Sequence, residues 1–107
     1  GLVGWRFATF VAMMLAIASE YHRSGACGPA IPMLTWSYAV EPTATPGRVA
    51  YVQCLAHEGR WADSRAAALD ALRVVSGGEV RRLRRSIARA DSALGRGYLH
   101  RDSVAIR

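Results

Sequence analysis

Gly25 and Gly59 do most to limit the folds open to this 107-residue chain: each closes a run of apolar residues in helical period, each precedes a second such run, and they stand 34 residues apart. Glycine accepts the left-handed backbone with which a helix ends and the chain turns back. A corner is therefore predicted at each, between helices of about residues 5–23 and 29–40, and again between helices of about 46–58 and 61–75. Glu41-Pro42-Thr43-Ala44-Thr45-Pro46 reads as the connection between the two pairs, with Thr45 as N-cap and Pro46 at the first helical position. Pro29 and Pro32 suit a helix's opening, where backbone N–H groups lack an intrahelical partner. On the fourth helix Ala66, Ala67, Leu69, Leu72 and Val75 are expected to face inward. Ser76-Gly77-Gly78 closes it, and a fifth helix starts near Glu79.

Composition agrees with helices. Nineteen alanines against 8% aromatic residues suit closely packed helices better than aromatic-rich strands. The length allows one modest core and excludes a multi-domain enzyme. The expected fold is all-α, built of antiparallel helical hairpins: repeat-like units at about 11–44 and 45–78 and a basic capping helix at about 79–95 form a single domain over 1–95, with a tail at 96–107.

Counting from Val11, large and small residues alternate at Met14, Ile17, Ala18, Tyr21, Ala30, Leu34, Ser37 and Pro42. From Thr45 the equivalent positions are Arg48, Tyr51, Val52, Leu55, Ser64, Ala68, Ala71 and Ser76, and Gly59-Arg60-Trp61-Ala62-Asp63 places an aromatic two residues after the glycine. This pattern over residues 11–78 resembles the tetratricopeptide repeat, a 34-residue helix–turn–helix unit that stacks into an α-solenoid. Arg48, Val52 and the Gly28-Pro29-x-x-Pro32 start depart from it. The resemblance implies a concave face carrying Leu15, Ser19, His22, Val49, Gln53 and Ala56, where such proteins bind peptide segments. Repeats that clamp carboxylate tails use Lys, Arg and Asn there; Leu15, Ser19 and Val49 supply none, so an apolar helix or extended segment fits better.

From Phe7 to Ala18 the chain carries no charge, and this run has three readings. A buried core helix is favoured over a membrane span, because even from Leu2 the stretch only reaches the lower length for crossing a bilayer and includes Arg6. Ala16-Ile17-Ala18 resembles a signal-cleavage site, but the run is expected to stay with the chain. Trp5, Phe7, Phe10, Met13 and Met14 crowd more than one face of this helix, so apolar surface is expected to remain for a protein partner, a second copy or lipid.

All fourteen basic residues are Arg. Residues 1–78 hold six Arg against five acids, a net of +1; residues 79–107 hold eight against three, a net of +5. Val80, Leu83, Ile87, Ala90 and Leu94 form a narrow apolar stripe on the last helix, and Arg81, Arg82, Arg84, Arg85 and Arg89 occupy its other faces. A solvated capping face is the plainer reading; contact with an anionic partner, RNA or an acidic protein surface, is the sharper one.

Side-chain chemistry adds little. His22, His57 and His100 have no Cys or second His at metal-ligand spacing, and no nucleophile elbow or phosphate loop is present. Cys27 and Cys54 are expected to be buried free thiols, and an intracellular or organellar setting is expected. No enzyme activity, metal or cofactor is expected. The expected function is a noncatalytic scaffold or adaptor subunit; the alternatives are a single-pass membrane subunit anchored by residues 2–18 and an RNA-associated repeat protein using the Arg-rich helix.

Overall fold

The computed structural model describes the backbone of residues 2–106 and the side chains of residues 10–96. Among the described residues all regular structure is helical: α1 (Leu2–Arg23), α2 (Cys27–Val40), α3 (Arg48–His57), α4 (Trp61–Ala71) and α5 (Gly78–Ile106).

Both glycine corners form, with φ +80° at Gly25 and +76° at Gly59. At the first, the Gly25 N–H donates to the His22 carbonyl (3.0 Å) and the Ala26 N–H to the Tyr21 carbonyl (2.8 Å). At the second, the Gly59 N–H donates to the Ala56 carbonyl (3.0 Å) and the Arg60 N–H to the Leu55 carbonyl (2.9 Å). Such paired bonds satisfy carbonyls that a helix end leaves open, and the left-handed residue they need is Gly in both places. Each donor and acceptor of the second corner is the first shifted by 34 residues. The same shift relates the helix ends, Arg23 and His57, and the next helix starts, Cys27 and Trp61. The shift is not repeated a third time: the next equivalent residue is Ala93, which lies inside α5, and the helix continues to Ile106, past the expected end near residue 95.

Consecutive helices pack on one another, and α3 also touches α1 and α5. Among the described residues the core is a series of three small clusters. Val11, Leu15, Ala18, Ala30, Leu34 and Tyr38 join α1 to α2. Cys27, Ile31, Cys54 and Leu55 join α2 to α3. Val52, Ala68, Ala71 and Leu83 join α3, α4 and α5. Tyr51 packs against the first two clusters and Ala67 against the last two.

Several expectations need correction. Helix α3 begins at Arg48, not after a Thr45 cap, because Pro46 and Gly47 form a turn and Gly47 takes φ +79° and ψ 1°. A Cβ there would meet the Tyr38 hydroxyl at 2.9 Å and Leu34 Cδ2 at 3.1 Å, so glycine alone fits. Helix α4 stops at Ala71, not Val75: the Arg73 and Val74 N–H groups turn to carbonyls three residues back, and the chain leaves the α-helical spiral. Its buried face is Ser64, Ala68 and Ala71, while Ala66 and Leu69 are exposed. Small residues win that face because α4 lies close against α3, where the Ser64 hydroxyl donates to the Val52 carbonyl at 2.8 Å.

The cysteines are also not free thiols. Cys27 opens α2 and Cys54 lies on α3, with Cα atoms 5.2 Å apart, and they form a disulfide that crosses from the first hairpin to the second. Their separation of 27 residues holds no local cue, since the pairing exists only once α2 has packed on α3.

Candidate interaction site

The connection between the hairpins is held by one buried cation. Arg48 is 6% exposed; its Nε donates to the Ala44 carbonyl (2.8 Å) and its Nη2 to the Pro42 carbonyl (2.6 Å). Tyr38 lies beneath the guanidinium and donates its hydroxyl to the Pro46 carbonyl at 2.6 Å. Burial pushes the Tyr38 hydroxyl pKa far above the ordinary tyrosine value; Arg48 opposes this, and Tyr51 and Glu79 reinforce it. Tyr51 stacks at a tilt on Tyr38 and shares a 2.7 Å hydrogen bond with Thr35. A groove of about 440 Å³ lies over this group, bordered by Asp63, Ala66 and Asp70 of α4. Its central cation is committed to backbone carbonyls, so the cluster serves to fix residues 42–48 to α2 and α3.

The residues assigned to a concave face separate in space. Leu15 is buried in the α1–α2 cluster and, with Ser19, lines an apolar groove of about 440 Å³ between α1 and residues 41–46. Gln53 and Ala56 line a second groove, about 420 Å³, between α3 and α5, together with His57, Trp61, Ser86 and Arg89. Val49 packs against the α3–α4–α5 cluster, and His22 is half-buried near the end of α1. Two residues expected on the concave face, Gln53 and Ala56, and one expected on the cationic face, Arg89, thus meet in a single groove, which spacing within each helix does not reveal.

Opposite the buried Val11, Leu15 and Ala18, a second apolar stripe of α1 is uncovered over the described side chains. Phe10 is 50% exposed and Met13 57%, with Ile17 and Tyr21 continuing the stripe and Trp36 of α2 beside it. Phe10 meets Trp36 edge-on at 5.2 Å between ring centroids. Met14 is half-buried. Trp5 and Phe7 lie outside the described side chains. Ile17 and Tyr21, which the repeat pattern places at packing positions, are exposed because α1 is covered from one side only. Among the described residues no helix is long and apolar enough to cross a membrane.

On α5, Leu83 and Ala90 are fully buried and Val80 and Ile87 half-buried, whereas Leu94 is exposed. Arg81, Arg82, Arg84, Arg85 and Arg89 all face solvent, and among the described residues none makes an ion pair. Asp91 instead pairs with Arg65 of α4 at 2.6 Å. Among the described residues no cluster of three metal-ligating side chains exists, and no buried side-chain N or O atom lacks a hydrogen-bond partner. No protein-family model, curated protein or solved structure matches the chain.

Proposed function

We propose that this chain is a noncatalytic protein–protein interaction module, a scaffold or adaptor subunit built on tetratricopeptide-like units. The observation that carries the reading is the 34-residue shift that relates the hydrogen bonds of the two corners. The repeat's register supports it: Ala18, Ala30, Leu34 and Ser37 in the first unit and Val52, Ser64, Ala68 and Ala71 in the second are equivalent positions, and all are buried. A series of small clusters is how stacked helical units bury apolar surface, each against its neighbours only.

Two units and a cap are fewer than such a stack normally needs to bury a continuous core. The uncovered Phe10–Met13–Ile17–Tyr21 stripe supports association with a protein partner or a second copy. The Cys27–Cys54 bridge favours an oxidising compartment. The test is recovery of the tagged full chain from its native source after ribonuclease treatment. A polypeptide in fixed stoichiometry, or a stable homo-oligomer, is expected. Recovery of a lone monomer, or of partners that ribonuclease removes, overturns the reading.

A further inference from the structure

We infer that the groove between α3 and α5 receives an acidic amphipathic helix of a partner protein, with the partner's carboxylates meeting an arginine flank of α5. The inference rests on the interaction-module reading and names the partner of one face.

Advancing about 100° per residue from the buried Leu83, the positions of α5 sort into two flanks. Asp91 and Arg84 fall toward α4, where Asp91 pairs with Arg65. Arg82, Arg85, Arg89 and Arg96 fall on the opposite flank within an arc of about 60°, the side on which Ser86 and Arg89 line the groove. Glu79, in the first turn of α5, falls near the Ser86 side, but among the described residues the arginines of that flank make no ion pair. All four arginines are exposed, and among the described residues Arg96 reaches Ser92 of its own helix. The facing wall, Gln53, Ala56 and His57 of α3, carries no arginine and no carboxylate, and Trp61 supplies an aromatic surface at its end.

That asymmetry decides between anions. A phosphodiester chain is charged along its whole length and gains little from a wall made mostly of amide, methyl and aromatic groups. An amphipathic helix carries carboxylates on one side and apolar or amide groups on the other, which matches the two walls. The arginine spacing of 3, 4 and 7 residues is also the spacing of one face of a helix, so a helix lying alongside repeats its acids in step.

The experiment measures binding of the full chain to a labelled helical peptide of about three heptads with Glu at that spacing, to a peptide of equal composition with the Glu dispersed around the helix, and to a single-stranded oligouridylate. The spaced peptide is expected to bind tightest. R82Q/R89Q is expected to weaken it about tenfold, whereas R81Q/R84Q, which removes equal charge from elsewhere on α5, changes it less than about twofold. Equal losses in the two variants, equal binding of the dispersed peptide, or tighter binding of the oligouridylate overturns the inference. The same variants, carried into recovery from the native source, separate the two readings. A partner that survives R82Q/R89Q leaves the interaction module standing and removes this groove as its site.

Discussion

The Arg48 guanidinium lies 3.9 Å above the centre of the Tyr38 ring, inside the protein, while its nitrogens hold the Pro42 and Ala44 carbonyls. One side chain thus joins the connection between the hairpins to the helices on either side of it. Lysine keeps the charge but cannot present the planar fork that reaches two carbonyls while stacking on a ring. Arg48→Lys is expected to lower stability by about 1–3 kcal/mol, read as a fall in the denaturation midpoint. An unchanged midpoint would show that residues 42–48 are held by other contacts.

Alkaline stability should depend on Tyr38. Burial raises its pKa in the folded state, so its contribution to stability is fully present below the unfolded tyrosine value of about 10 and is lost as pH rises above it. The unfolded chain gives up this proton first, which favours unfolding. Tyr38→Phe is expected to be less stable at neutral pH, through loss of the hydrogen bond to the Pro46 carbonyl, but to lose stability less steeply in alkali. Parallel declines of the two chains, followed together with tyrosinate absorbance, would contradict this assignment.

The cysteine bridge gives a direct chemical readout. The native chain is expected to show no thiol available for alkylation until it is reduced. Loss of the bridge by Cys54→Ala is expected to cost about 3 kcal/mol, the order given by closing a loop of this length in the unfolded chain. Alkylation of both cysteines in the non-reduced, unfolded chain would refute the bridge.

The corrected inner face of the second hairpin can be tested by a pair of leucines. Leu83 is fully buried against Val52, Ala68 and Ala71, so Leu83→Ala is expected to cost about 2–5 kcal/mol. Leu69 is 44% exposed on α4, and Leu69→Ala is expected to cost less than about 1 kcal/mol. The reverse order would restore the inward Leu69 expected from periodicity.

Helix class and both corners were legible because each rests on local physics: Gly25 and Gly59 are the residues that accept the backbone their hydrogen bonds demand. The buried stripe of α5 was legible for the same reason, as Leu83 and Ala90 follow the helical period. What stayed hidden depends on neighbours. Arg48 looked like a break in the repeat, yet carbonyls from a turn six residues away make a buried guanidinium tolerable. Leu69 and Ala66 looked apolar enough to face inward, but the close approach of α3 and α4 selected Ser64, Ala68 and Ala71 instead. The disulfide and the α3–α5 groove both join residues far apart in sequence, and the groove's lining drew on two sets that the sequence kept separate, Gln53 and Ala56 with Arg89.

An interaction module that meets its partner through the α3–α5 groove is tested most directly by a photo-reactive amino acid at position 53, in that groove, set against one at position 88, on the solvent side of α5, each in the full chain within its native source. The account predicts one discrete polypeptide adduct from position 53 and none from position 88. Adducts that are the same from both positions, or that consist of nucleic acid, would contradict it.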